Sequence, residues 1–113
     1  MKKFLTVYVA PVEAYDKMKE EMNNKTPEDR KRDMEEWNTW MEKYKENIVD
    51  PGAAVGSAKR VDLDGNVSDV RNEIGGYMIF KAESMEAVVE MFKDGPSMGV
   101  EGGGVEIMEI VEM

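Results

Sequence analysis

Few side chains in this sequence belong to the types that carry out enzyme chemistry, and Asp50 is the first of them. The 113 residues include no histidine and no cysteine, which excludes Ser-His and Cys-His nucleophiles, zinc sites with the usual ligands and disulfide bonds. A partly buried carboxylate can still act as a general base, because desolvation raises its pKa. Asp50 could take that role, with Tyr77 or an arginine as the stabilising group. An aspartate before Pro51-Gly52 could equally accept hydrogen bonds in a turn, so both interpretations stay open.

Three aromatic residues before Asp50 suit a different role, the binding of a planar ligand. Trp37, Trp40 and Tyr44 could form the wall of a pocket in which an indole N–H or a phenol O–H orients the ligand. The same spacing fits the core side of an amphipathic helix. Trp40 lies at the margin of the apolar stripe and is the indole that we expect to touch a ligand.

The remaining polar candidates lie in the second half of the chain. Arg60 and Arg71 could bind a substrate carboxylate in a bidentate fork, or they could pair with nearby acidic side chains. Asn72 and Tyr77 flank the Gly75-Gly76 pair, where an irregular backbone could direct polar groups into a cleft. These residues complete the set of candidate ligand-binding groups.

Two segments that resemble ligand loops are rejected on their context. Gly102-Gly103-Gly104 precedes a strand rather than a helix and lacks the following lysine of a phosphate loop; we predict a mobile loop over residues 99–104 instead. The Asp62-x-Asp64-Gly65 segment is shorter than a calcium-binding loop and indicates a turn. We therefore expect no cofactor and no metal.

Composition limits the class of partner. The chain has 24 acidic and 15 basic residues and a net charge of −9, which argues against nucleic acid and anionic membranes as partners. Its 42% of hydrophobic residues can form one core, and we predict a single domain over residues 1–113. No apolar run approaches the ~18 residues of a membrane span, and no signal-peptide pattern is present. We expect a cytoplasmic location.

The apolar pattern predicts four principal strands and three helices. Alternation in residues 3–10 and 77–82 gives two strands that are apolar on both faces. Thr26-Pro27 begins the longest helix, whose stripe reaches Ile48 and which should end near Asp50, before Pro51. The other two principal strands are predicted over 53–61 and 105–111, and a hairpin turn over 62–66 leads from the first of them to a returning arm over 67–71. A helix over 12–24 and a helix capped by Ser84 complete the predicted elements.

This order predicts an α+β domain of ferredoxin-like βαββαβ topology. Its antiparallel sheet would carry helices on one face only, with residues 3–10 and 77–82 as the central strands. Because both central strands are apolar on both faces, the uncovered face must meet another surface. A second copy of the same sheet is the simplest candidate, so we expect a homodimer.

Several short segments occur in an order that is also found in a known family. They are Trp37-Asn38-Thr39-Trp40, Val49-Asp50-Pro51-Gly52-Ala53, Gly65, Gly76-Tyr77-x-Ile79-x-x-Ala82-x-Ser84-x-x-Ala87, Gly95-Pro96 and Val105-Glu106-Ile107. In these segments the chain resembles the YCII-related family of the dimeric α+β barrel superfamily. The resemblance implies a ferredoxin-like fold, face-to-face packing of two sheets and a pocket between helices and sheet near the dimer contact. It also implies a relationship to family members that have lyase-like or dehalogenating activity.

The departures from the family pattern bear on the activity. Family members proposed to be catalytic rely on a histidine paired with an aspartate, and this chain has no histidine. The family's Asp-Gly-Pro-Phe segment is missing as well, and Asn72-Glu73-Ile74 stands near its place. The fold is therefore expected to carry over, whereas the activity largely is not.

Three functions follow as hypotheses from these observations. The favoured one is a homodimer that binds a small, partly aromatic or apolar molecule in a helix–sheet pocket. The alternative is a small lyase or isomerase that uses Asp50 as a base without the family's histidine, so the sequence leaves open whether the protein is an enzyme. A third hypothesis, the docking of a basic protein on the acidic surface, rests on net charge alone.

Overall fold

The computed structural model of the protein describes residues 1–96 and 102–112. Residues 99–101 of the predicted loop over 99–104 therefore lie outside the described part of the chain, whereas Gly104 already belongs to the last strand. The elements are β1 (Lys2–Val9), α1 (Val12–Asn24), α2 (Pro27–Lys43), β2 (Ile48–Ala54), β3 (Ala58–Val61), β4 (Val67–Val70), β5 (Ile74–Ala82), α3 (Met85–Lys93) and β6 (Gly104–Glu109).

The four principal strands form one antiparallel sheet in the order β2-β5-β1-β6. This is the ferredoxin-like arrangement, with β1 and β5 in the centre, and it confirms the predicted α+β fold. Strands β3 and β4 form a separate hairpin between β2 and β5. The hairpin is a separate two-stranded sheet and adds no strand to the four-stranded sheet.

The core lies between one face of the sheet and the helices α2 and α3. Its buried residues are Phe4, Trp40, Met78, Phe80, Ala82 and Val88, so alternate positions of β1 and β5 face the helices as the pattern predicts. Thr6 lies on the same face and is fully buried. Its Oγ1 donates a hydrogen bond of 2.9 Å to the carbonyl oxygen of Met78, which satisfies its polar atom inside the core.

Side-chain caps fix where two of the helices begin. The Thr26 Oγ1 accepts a hydrogen bond from the Asp29 backbone N–H at 3.1 Å, and Pro27 is the first residue of α2. The Ser84 Oγ accepts from the Ala87 N–H at 3.2 Å at the start of α3. Both predicted caps are confirmed.

The predicted end of the long helix near Asp50 is wrong. Helix α2 ends at Lys43, and both Ile48 and Asp50 belong to strand β2. Strand pairing decides this boundary, because Ile48 lies opposite Phe80 and Asp50 lies opposite Ile79. Proline is tolerated in β2 because this is an edge strand, where a missing N–H need not break the ladder.

The predicted strand over residues 53–61 is wrong as a single element. It corresponds to the end of β2 at Ala54 and to the separate strand β3, with residues 55–57 outside any strand. The hairpin itself is confirmed. Its turn is closed by the Asp62 Oδ1, which accepts hydrogen bonds from the backbone N–H groups of Asp64 and Asn66.

The second face of the sheet is also apolar. Leu5, Val7 and Val9 of β1 alternate with the core residues, as do Tyr77 and Ile79 of β5. The core cluster beneath the helices, as far as the chain is described, includes none of these five residues. This face therefore offers an apolar surface separate from the core.

We predict that Gly52 cannot be replaced without a large loss of stability. Its φ is +67°, and an added Cβ would overlap the carbonyl oxygen of Tyr77 on the neighbouring strand. Gly52→Ala should lower the free energy of unfolding by at least about 2 kcal/mol, as measured by urea denaturation. Gly56→Ala is the matched control, since no atom lies within 4 Å of its added Cβ. Equal losses in the two variants would contradict the described strand pairing.

Candidate functional site

A large cleft of about 1200 Å³ lies between the sheet, the helices α1 and α2, and the β3–β4 hairpin. The sheet forms its floor through Tyr8, Ala54, Gly76 and Met78. The helices contribute Tyr15, Met18, Trp37 and Met41, and the hairpin contributes Lys59 and Val70. Seven of the lining residues are aromatic or methionine side chains, which suit an apolar ligand, and five others are charged.

The floor of this cleft exists because small residues meet in one row of the sheet. Gly76 lies directly opposite Tyr8 on β1 and opposite Ala54 on β2. Residues that oppose each other in antiparallel strands project from the same face. Val105 of β6 lies on the other side of Tyr8 in this row. On the β5 and β2 side the row carries only the methyl group of Ala54, and space is left there beneath the helices.

The two tryptophans of α2 have different surroundings. Trp40 is only 4% exposed, and its Nε1–H donates a hydrogen bond of 2.8 Å to the carbonyl oxygen of Met91. Its ring lies 5.2 Å from that of Phe92 and 6.0 Å from that of Phe80, between centroids. Trp40 therefore belongs to the core, although one edge reaches a second cleft of about 510 Å³ near Asp94.

Trp37 is the indole that lines the large cleft. It is half-buried, and its ring meets the Tyr8 ring edge to face at a centroid distance of 5.7 Å. The expectation that Trp40 lies nearer a ligand is not met at this cleft, because the Trp40 indole N–H is already bonded within the core.

Tyr44 lies outside both clefts and joins the ends of two helices. Its hydroxyl donates a hydrogen bond of 2.8 Å to the Asp94 Oδ2, which also accepts one of 2.6 Å from the Lys43 Nζ. These bonds, that of Lys43 foremost, hold the pKa of the Asp94 carboxyl below its usual value. The arrangement gives Tyr44 a structural contact between α2 and the end of α3.

Asp50 and Tyr77 are not brought together at the large cleft. Tyr77 lines it, but Asp50 lines neither of the two clefts described above. The Asp50 Oδ1 accepts a hydrogen bond of 2.8 Å from the Gly52 N–H, which is the local turn contact expected of an aspartate before Pro-Gly. A catalytic role for Asp50 stays a prediction.

The other polar candidates also differ in whether they line the large cleft. Arg60 is exposed on β3 and lines neither cleft, whereas Arg71 and Asn72 line the large one. The Nη2 and Nη1 atoms of Arg71 donate hydrogen bonds of 3.0 and 3.3 Å to the Asp16 carboxylate. These bonds hold the pKa of Asp16 below its usual value. The Asn72 Oδ1 accepts from the Ile74 N–H. The Arg71 fork is thus occupied by a side chain of α1.

Two tyrosines of the cleft were not among the sequence candidates. The Tyr15 hydroxyl donates a hydrogen bond of 2.6 Å to the carbonyl oxygen of Glu73, and its ring fills the space beside Gly75. The Tyr8 hydroxyl lies 3.7 Å from the Met78 sulfur. Burial raises the pKa of Tyr8 well above its ordinary value. The sequence signal for both tyrosines was the Gly75-Gly76 pair, because the Tyr15 ring lies beside Gly75 and Tyr8 lies opposite Gly76. Only the strand register shows that these glycines make room for the two rings.

Metal ligands and membrane spans were also sought in the described ranges. Residues 1–96 and 102–112 contain no group of three or more Asp, Glu, His or Cys side chains that could hold a metal ion. No helix within those ranges is long and apolar enough to cross a membrane.

Comparison with known proteins gives a family and distant structural likeness to solved structures. A solved structure of 5-chloro-2-hydroxyhydroquinone dehydrochlorinase from Burkholderia phenoliruptrix AC1100, in complex with 2,5-dihydroxybenzoquinone, is 15% identical with a TM-score of 0.45; the match covers 94% of this chain and 91% of that one. No curated protein matches the chain. The model of the YCII-related domain matches residues 9–113. The chain therefore belongs to the YCII-related family.

Proposed function

We propose that the protein is a homodimer that binds a small, planar and largely apolar molecule in the large cleft. The row of Ala54, Gly76 and Tyr8 carries this proposal, because it leaves an unfilled floor beneath the aromatic side of α2. A filled core would place large side chains in that row, as Phe4 and Phe80 do at the other end of the same two strands.

The chemistry of the walls supports binding through apolar contact. Trp37, Met41 and Met78 line the space above the floor. Burial of about 200 Å² of ligand surface against such side chains contributes about 5 kcal/mol, from which the entropic cost of association is subtracted. A half-buried indole at the wall also gives an optical signal for occupancy.

The charged groups at the rim support binding rather than acid–base chemistry. The Asp16 carboxylate is bonded to Arg71, and the Asp69 carboxylate lies 2.7 Å from the Lys59 Nζ. Each of these two carboxylates thus has a cationic partner, and Lys19 is a further cation in the lining. The cleft therefore suits an uncharged ligand better than a cationic one.

The apolar second face of the sheet supports the homodimer. Val7 at the centre of this face is buried within the single chain, but Leu5 and Val9 on β1 and Ile79 on β5 are only half-buried. Partly exposed apolar surface of this kind is stabilised by a partner, and a second copy presents the same surface. Tyr77 lies on β5 beside Ile79 and also lines the cleft, so the proposed interface and binding site are adjacent.

We predict that Ala54→Leu blocks the cleft. Its three additional carbon atoms would occupy the floor beside Gly76, and the affinity for the planar ketone 1-indanone should fall at least about tenfold. The measurement is saturable quenching of tryptophan fluorescence. Asn38→Leu is the control, because Asn38 is exposed on α2 and lines neither cleft. Absence of saturable quenching in the parent protein, or equal affinity in the Ala54 variant, would contradict the proposed site.

We predict that a charge on the second face of the sheet separates the subunits. The parent protein should sediment at twice the chain mass of 12.8 kDa at micromolar concentration. Ile79→Lys should sediment as a monomer, because an unpaired ammonium cannot be buried at low cost in an apolar interface. Leu63→Lys is the control, since Leu63 is fully exposed at the hairpin tip. A monomeric parent, or a dimer in both variants, would count against the sheet-to-sheet dimer.

A further inference from the structure

We infer that the Tyr8 hydroxyl is the hydrogen-bond donor that selects the ligand, and that the ligand carries a carbonyl oxygen conjugated to its planar ring. This inference rests on the proposed binding function and specifies the chemistry of the same cleft. Tyr8 lies on a central strand at the cleft floor, which is the most firmly held part of such a site.

The Tyr8 hydroxyl lacks a strong acceptor. Its only partner in the described part of the chain is the Met78 thioether sulfur at 3.7 Å, and thioether sulfur is a weak acceptor. The opposing residue on β5 is Gly76, so no side chain at that position covers the phenol. A half-buried hydroxyl in this state gains stability when a better acceptor enters the cleft.

The second tyrosine at this end of the cleft shows the contrast. The Tyr15 hydroxyl already donates to the Glu73 carbonyl oxygen at 2.6 Å, which fixes α1 to the strand end. Its donor is therefore committed to the protein. Of these two phenols, Tyr8 is the one with a donor to offer to a ligand.

Packing holds the Tyr8 ring in place. Trp37 meets it edge to face at 5.7 Å, and Phe92 does so at 6.1 Å, between ring centroids. Two such contacts limit the movement of the ring and so reduce the entropy lost when the hydroxyl bonds to a ligand. The hydroxyl is thus oriented before the ligand arrives.

Protonation and charge decide which acceptor fits. Burial raises the pKa of Tyr8, so the phenol is protonated at neutral pH and donates. The rings of Trp37 and Phe92 and the sulfur of Met78 are uncharged neighbours that cannot neutralise an anion. An uncharged carbonyl oxygen therefore suits Tyr8 better than a carboxylate does.

The test compares two ligands that differ only at the acceptor. The probes are 1-indanone, which has the carbonyl, and indane, which has the same fused rings without it. Tyr8→Phe should lower the affinity for 1-indanone about three- to tenfold, because the carbonyl loses its donor. The same change should leave the affinity for indane unchanged, since indane has no acceptor. Titrations followed by protein NMR measure all four affinities and report whether the variant is folded.

A second readout does not depend on the variant. The infrared carbonyl band of ¹³C-labelled 1-indanone bound to the parent protein should lie at lower frequency than the band of the same ketone dissolved in cyclohexane, because a donated hydrogen bond weakens the C=O bond. A bound band at the cyclohexane frequency would overturn the role of Tyr8.

The outcomes distinguish failure of the Tyr8 donor role from failure of the proposed binding function. An affinity for 1-indanone that is unchanged in Tyr8→Phe would overturn the donor role and leave the apolar binding site standing. Failure of both ligands to bind the folded parent would contradict the proposed function, and the donor role would fall with it.

Discussion

The structure depends on a change of side-chain size along its two central strands. At one end, Phe4 and Phe80 lie opposite each other and fill the space under the helices; at the other end, Gly76 lies opposite Tyr8. Helix α2 spans both regions. Its Trp40 packs into the filled end, whereas Trp37 stands over the empty one. The core and the cleft thus lie between the same sheet and the same helix. They differ in whether the facing strand residues are large enough to fill the space.

The walls of the cleft are held with unequal strength. The floor lies mainly on the central strands β1 and β5, which are bonded on both sides, and includes Ala54 of the edge strand β2. Helix α1, in contrast, has no buried residue. It is held to the strand ends by the Tyr15 hydroxyl and by the exposed ion pair of Asp16 with Arg71. Exposed ion pairs contribute little to stability. We therefore expect α1 to move away from the floor more readily than α2 does, as suits the entrance of a binding site.

Local features of the sequence predicted much of the fold. Thr26 and Ser84 specify their helices through hydrogen bonds within one turn. The alternation in β1 predicts a strand, but both of its faces are apolar, and only the packing of α2 and α3 decides which face meets the core. Asp50 was misplaced because Pro51 indicates the end of a helix as well as a position on an edge strand. Only the pairing of β2 with β5 decides between them, and that contact joins residues far apart in the chain.

The family could also be predicted, because its short segments occur in order along the chain, and the match over residues 9–113 confirms it. The cleft was harder to foresee. Helical periodicity places Trp37 and Trp40 on one stripe, but only the strand register shows that Phe80 lies beneath one and the Gly76 row beneath the other. Tyr8 was missed for the same reason, since its importance comes from the glycine opposite it.

The most direct test of this account is a crystal structure of the protein under xenon pressure, because xenon binds in unfilled apolar space. The account predicts a xenon atom above Gly76, in contact with the Tyr8 and Trp37 rings. The contrary result would be a Trp37 ring packed directly on Gly76, with no xenon between the helices and the sheet.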